Sequence, residues 1–94
     1  MRSFWRDVNQ VLREVDIIIE VLDARLIDET RNQEIEERIQ KYGKKILYVI
    51  TKADLVKKES IEPLKKILHP LVFISAKNRQ GTTLLKKKIL ELSH

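Results

Sequence analysis

The chain has 94 residues, with Lys and Arg outnumbering Asp and Glu by 19 to 14, a net charge of +5, and no cysteine. That length makes one small domain able to bury roughly 60–65% of its unfolded surface. The absence of cysteine excludes disulfides, thiolate zinc sites and thiol catalysis, and it allows a reducing cytosol. The basic balance permits contact with nucleic acid without requiring it.

The elements alternate along the chain. Phe4, Trp5, Val8, Val11, Leu12 and Val15 recur at helical spacing and predict an amphipathic helix near residues 3–14, with Phe4 and Trp5 in the core. This opening stretch lacks the apolar run of a secretory signal. Residues 16–23 (DIIIEVLD) read as a strand. Its apolar stretch, Ile17 to Leu22, is interrupted by Glu20 and is too short to span a membrane. A parallel strand covered on both faces is nearly continuous in apolar residues, so Glu20 marks either a guarded sheet edge or a side chain reaching water past a helix end. Thr30 with Gln33 forms a capping-box pattern, and Ile35, Ile39 and Tyr42 line one face of the following helix. Gly43 ends that helix, and KILYVI (residues 45–50) is a second strand. Ser60 is the expected cap of a third helix, with Pro63 in its first turn and Leu64, Ile67 and Leu68 facing inward. Leu71 to Ile74 is a third strand, and Thr82 to Leu92 a fourth helix.

Strands separated by helices imply a three-layer α/β fold, a parallel sheet of about three strands with helices on both faces, in a single domain over residues 1–94. Ligands of such sheets lie beyond the carboxyl ends of the strands. Two short segments fall there: Thr51-Lys52-Ala53-Asp54 after the second strand and Ser75-Ala76-Lys77 after the third.

Each segment has groups suited to guanine. The base presents two adjacent donors, N1–H and the exocyclic amino group, and one carboxylate, that of Asp54, can accept both. Adenine has no donor at N1. Lys52 can lay its aliphatic stem along the base while its ammonium stays in water. A backbone N–H of Ala76 or Lys77 can donate to the guanine carbonyl oxygen, with Ser75 bracing the turn. The chain has only two glycines, Gly43 and Gly81, so it contains no G-x-x-x-x-G-K-[ST] loop to cradle phosphates. No Ser-His-Asp or paired-carboxylate arrangement is legible, so no catalytic residue is assigned. His69 and His94 lack acidic or cysteine neighbours at ligand spacing, so no metal site is assigned either. Lys86-Lys87-Lys88 spans nearly a helical turn and reads chiefly as solvated surface.

V-L-D-A-R (Val21 to Arg25), T-R-N-Q-E-I-E (Thr30 to Glu36), T-K-A-D-L and, about 21 residues further on, S-A-K-N-R-Q-G together resemble the circularly permuted ribosome-assembly GTPases of the YlqF/YawG type. The resemblance covers about Val15 to Leu92. It implies a partial P-loop GTPase-like domain, the guanine-recognition half that precedes the P-loop in the permuted order. Thr51, Lys52, Asp54, Ser75, Ala76 and Lys77 would then read the base of GTP or GDP, bound weakly here. Mg would enter only with the other half. The implied setting is the cytoplasm, with the ribosome or rRNA as partner. Thr51 departs from the family's usual Asn, which ties the guanine loop to the P-loop. Lacking that P-loop, the chain is not expected to hydrolyse GTP alone.

Three points stay open at this stage. Asp23-Ala24-Arg25 is either a local ion pair bracing its loop or a contact to nucleotide or ribosome. The alternative to guanine reading is a small basic module that binds RNA or the ribosome without nucleotide function. A receiver-like phosphorylation domain is disfavoured, since it would want an acidic cluster at the first strand's end, where Asp23 has no acidic neighbour before Asp28. The first strand, missing a neighbour on its outer side, is expected to self-associate or to be covered by the first helix.

Overall fold

Residues 45–51 form the centre of a three-stranded sheet in the computed structural model, which describes residues 2–75 and 80–93. Strand β1 is Ile17–Asp23, β2 is Lys45–Thr51 and β3 is Leu71–Phe73, in the order β1-β2-β3 and parallel throughout. The register pairs Ile17 with Lys45, Asp23 with Thr51, and Ile50 with Phe73, so the carboxyl ends of all three strands lie at one edge of the molecule. The expected parallel α/β architecture is the observed one.

Helices α1 (Arg2–Glu14), α2 (Ile27–Thr30), α3 (Gln33–Lys41), α4 (Lys58–Ile61), α5 (Leu64–Ile67) and α6 (Gln80–Leu92) fill the connections. Two apolar clusters record the layers. On one face Leu12, Leu22, Ile39, Ile46, Tyr48, Ile50 and Leu68 are buried together, with Val8 and Ile35 packed against them. On the other, Leu47, Val49 and Val72 pack against Leu85, Ile89 and Leu92 of α6. Alternate residues of β2 thus serve opposite cores, and Ile46 through Ile50 are all buried, as a central strand covered on both sides requires. β1 is fully covered on one side only, with Ile17 at its start packing against the second cluster. Its Leu22 is wholly buried, whereas Ile19 and Val21 are 42% and 59% exposed.

Local chemistry sets the ends of α3. Asn32 is its N-cap, accepting the Ile35 N–H at 3.0 Å. At the other end Gly43 takes φ +69°, its N–H donates to the Gln40 carbonyl, and the Lys44 N–H reaches back to Ile39 at 3.1 Å. This pair of bonds is a Schellman ending, which needs a left-handed residue. The cap therefore lies two residues later than the T-x-x-Q pattern suggested. The expected third helix is two short ones, α4 and α5, because Pro63 has no N–H with which to continue α4. Ser60 lies inside α4 rather than capping it.

Trp5 is half-buried and stacks under the Arg38 guanidinium, 4.0 Å from the ring centroid, which places it at the rim between α1 and α3 rather than in the core. Arg38 also donates to Asn9 at 3.2 Å, a second link between the same helices. Among the described residues no helix is long and apolar enough to cross a membrane.

Candidate guanine-reading site

The turn after β2 is fixed by the strands on both sides of it. Thr51 Oγ1 donates to the Leu22 carbonyl at 3.1 Å, and the Ala24 N–H donates to the Thr51 carbonyl at 2.9 Å. These bonds tie the turn to the end of β1. On the opposite flank Ala53 N–H donates to the Ile74 carbonyl at 3.3 Å, while Ile74 N–H donates to Ile50. The approaches to TKAD and to Ser75 are therefore neighbours, joined through the backbone. Thr51 uses its hydroxyl to fasten the turn to β1.

Lys52 takes φ +60°, a left-handed conformation that costs a non-glycine residue about 1 kcal/mol. It leads into a single 3-10 turn, Ala53–Leu55, closed by the Leu55 N–H on the Lys52 carbonyl at 3.0 Å. This reversal puts Asp54 at the turn's crest, where the residue is exposed. Among the described residues its carboxylate has no hydrogen-bond partner, so it is not engaged in capping the turn. Ser75 is described and half-buried, whereas Ala76 and Lys77 lie outside the described residues.

Asp23 closes the arrangement from the β1 side. Its carboxylate accepts from Arg25 three times: from the backbone N–H at 2.9 Å, Nε at 3.2 Å and Nη2 at 3.0 Å. It also accepts Lys52 Nζ at 3.1 Å. The Asp23 N–H donates to Thr30 Oγ1, which donates in turn to the Leu26 carbonyl. Hydrogen bonds from Arg25, then from Lys52, hold the Asp23 carboxyl well below the usual carboxylate range, and the Arg25 guanidinium is pushed up in return. Asp23-Ala24-Arg25 is thus the local brace that the sequence left as one of two options. The Lys52 ammonium, expected in water, rests on Asp23 instead, although the side chain is still half exposed.

A second polar cluster lies under the apolar face and carries no signature of a site. Glu36, 4% exposed, accepts Arg31 Nε at 2.9 Å and Nη2 at 2.9 Å, together with the Tyr48 hydroxyl at 3.1 Å. Beside it Glu20 Oε1 accepts the Asn32 N–H at 2.9 Å, and Oε2 is buried without a partner among the described residues. Glu20, half-buried on the α3 side of the strand, holds the N-cap residue of α3. No three His, Cys, Asp or Glu side chains among the described residues converge as a metal ion would require.

A three-stranded parallel sheet flanked by helices, with the Thr51–Asp54 turn at its carboxyl end, is the architecture of a partial P-loop GTPase-like domain. Comparison with known proteins agrees at that level. The chain is 47% identical over 83 residues, 87% of its length, to an uncharacterised GTP-binding protein of Methanocaldococcus jannaschii. It is 38% identical over 93 residues to guanine nucleotide-binding protein-like 3 of Rattus norvegicus, and 33% identical over 92 residues to the GTPase Der of Persephonella marina. These alignments take in 90% and 86% of the chain respectively. No family profile matches the sequence. The relatives are GTP-binding proteins, and the chain spans 22%, 17% and 21% of their respective lengths.

Proposed function

We propose that this chain is the guanine-reading portion of a circularly permuted GTPase acting in ribosome assembly in the cytoplasm. The observation that carries the reading is the Ala53-to-Ile74 hydrogen bond, which seats the exposed Asp54 turn beside the Ser75 turn at the carboxyl ends of β2 and β3. In this reading Asp54 accepts from guanine N1–H and the 2-amino group, and a backbone N–H of Ala76 or Lys77 donates to the carbonyl oxygen. Lys52 supports the ring, while Thr51 and Ser75 hold the two turns. GTP or GDP is the natural ligand. Phosphates, Mg and the hydrolytic water would be handled by a glycine-rich loop in another part of the protein, since this sequence has only two glycines. The names of the relatives support guanine-nucleotide binding.

Base contacts alone support an affinity on the order of millimolar once association costs are met. Chemical-shift titration with GMP, AMP and guanosine tests the reading. GMP and guanosine are expected to move the resonances of residues 51–55, and AMP is not. Equal responses to GMP and AMP would overturn it.

A second reading has its own observation. Lys65, His69, Lys87 and Lys88 line a groove between α5, β3 and α6, with Lys65 Nζ 5.9 Å from the Phe73 ring centroid. Glu91 also lines the groove and pairs with Lys88 at 3.6 Å, which leaves three lysines to one carboxylate. Such a net-basic groove with an aromatic wall suits RNA, in particular rRNA. Binding of a short RNA oligonucleotide that is lost in Lys87→Glu and unaffected by Asp54→Ala would favour the RNA module.

A further inference from the structure

We propose that Asp23 is a positioning residue of the guanine site, acting through Lys52. The inference rests on the guanine-reading function proposed above and gives a role in it to the Asp23-Ala24-Arg25 segment. Lys52 leaves the chain at the end of β2, and its ammonium ends on Asp23 Oδ2, 3.1 Å away, at the end of β1. Neighbouring strands are roughly 4.8 Å apart. The four methylenes of Lys52 therefore run as an arm across the carboxyl ends of both strands, anchored at each end. One anchor is the left-handed backbone of Lys52 itself, at φ +60°. The other is a carboxylate with little freedom, since three bonds from Arg25 orient it and only 15% of its side chain is exposed.

A free lysine side chain loses rotamer freedom when a ring settles on it. Here that freedom is already restricted, so the apolar stem is a ready platform for a flat base beside Asp54. Arg25 fixes the carboxylate, the carboxylate fixes the ammonium, and the stem between Cα and Nζ faces the ligand.

Asp23→Asn is the clean probe. Its amide oxygen still accepts the Arg25 N–H and preserves the turn, but the charge that holds Lys52 is gone. In the native chain GMP is expected to shift the Lys52 side-chain methylenes upfield through the ring current of the base. In Asp23→Asn that shift shrinks and GMP binding weakens roughly three- to fivefold, the range of a partly exposed ion pair. Lys52→Met weakens GMP similarly, and adding Asp23→Asn to Lys52→Met weakens it no further. Native GMP affinity with an unchanged Lys52 shift in Asp23→Asn would overturn the proposal. So would additive losses in the double variant, which would make Asp23 merely structural. Failure of the guanine reading is separable: the native chain would respond alike to GMP and AMP.

Discussion

The backbone N–H of Asn32 donates to the Glu20 carboxylate at 2.9 Å, so the residue that caps α3 is itself capped by a side chain from β1. The two residues act as a capping box assembled across the fold, with the acid supplied by another element. Burial, above all, pushes Glu20 up to about 7, and the neighbouring Glu36 carboxylate adds to this, against the Asn32 N–H and the Arg31 guanidinium. Burial pushes Glu36 up, but it is held below its ordinary value by the hydrogen bonds and charge of Arg31 and the hydrogen bond from Tyr48.

A pH dependence follows from the sign of the Glu20 shift. Its folded-state value lies above its ordinary 4.5, so its proton favours the folded chain. That contribution is fully present below 4.5 and is lost as pH rises through about 7. Urea melts of the native chain should give a midpoint that falls from pH 5.5 to about pH 8, whereas Glu20→Gln, uncharged throughout, should hold its midpoint over that range. A native midpoint that rises with pH across this window would contradict the assignment.

Gly43 gives a purely conformational test. A methyl group there would meet nothing within 4 Å, so Gly43→Ala brings no clash and only the left-handed φ of +69° opposes it. A loss of about 1 kcal/mol in denaturant unfolding is expected. Gly43→Asn should lose less, because Asn tolerates the left-handed region better.

Asp54 can be made to change its preference. A carboxylate accepts twice and matches the two donors of guanine, whereas an amide offers one donor and one acceptor. That pair suits xanthine, which has N1–H beside a carbonyl. Asp54→Asn should therefore weaken GMP about tenfold and bind XMP better than the native chain does, read by chemical-shift titration. Unaltered GMP binding would remove Asp54 from the site.

The outer side of β1 offers a test of association. Ile19 and Val21 are exposed along a strand that pairs with β2 on its other side only. Light scattering across concentration should show the native chain's mass rising, through pairing of this strand with its copy. Ile19→Lys should remain monomeric at the same concentrations. A native chain monomeric throughout would exclude that pairing.

Periodicity sufficed for the strands and for α1, α3 and α6, but not for the short α2, α4 and α5, because Ile46 to Ile50 and the Ile35/Ile39 pair follow the spacing that two-sided and one-sided burial impose. The sites of TKAD and Ser75 at strand ends were legible for the same reason. What was not legible depends on partners remote in sequence. Thr30 looked like a cap, yet its hydroxyl accepts the Asp23 N–H seven residues back, leaving Asn32 to start α3. Glu20 finds Asn32 across 12 positions, and Lys52 finds Asp23 across 29. No local pattern encodes such pairs, since they exist only once β1 has β2 and the helices that follow it alongside.

The backbone bonds of Ala24 to Thr51 and of Ala53 to Ile74 give the ends of this sheet a particular thermodynamic character. Both turns are stitched to the adjoining strand as ladder continuations, so their order arises when the strands pair and not when a ligand arrives. Amides of Ala24 and Ala53 would then exchange with solvent at the pace of β2 itself, opening only when the sheet opens. A ligand entering here would find the Ala24 and Ala53 turns already assembled, and the heat of its binding would carry almost no share from folding of those two turns.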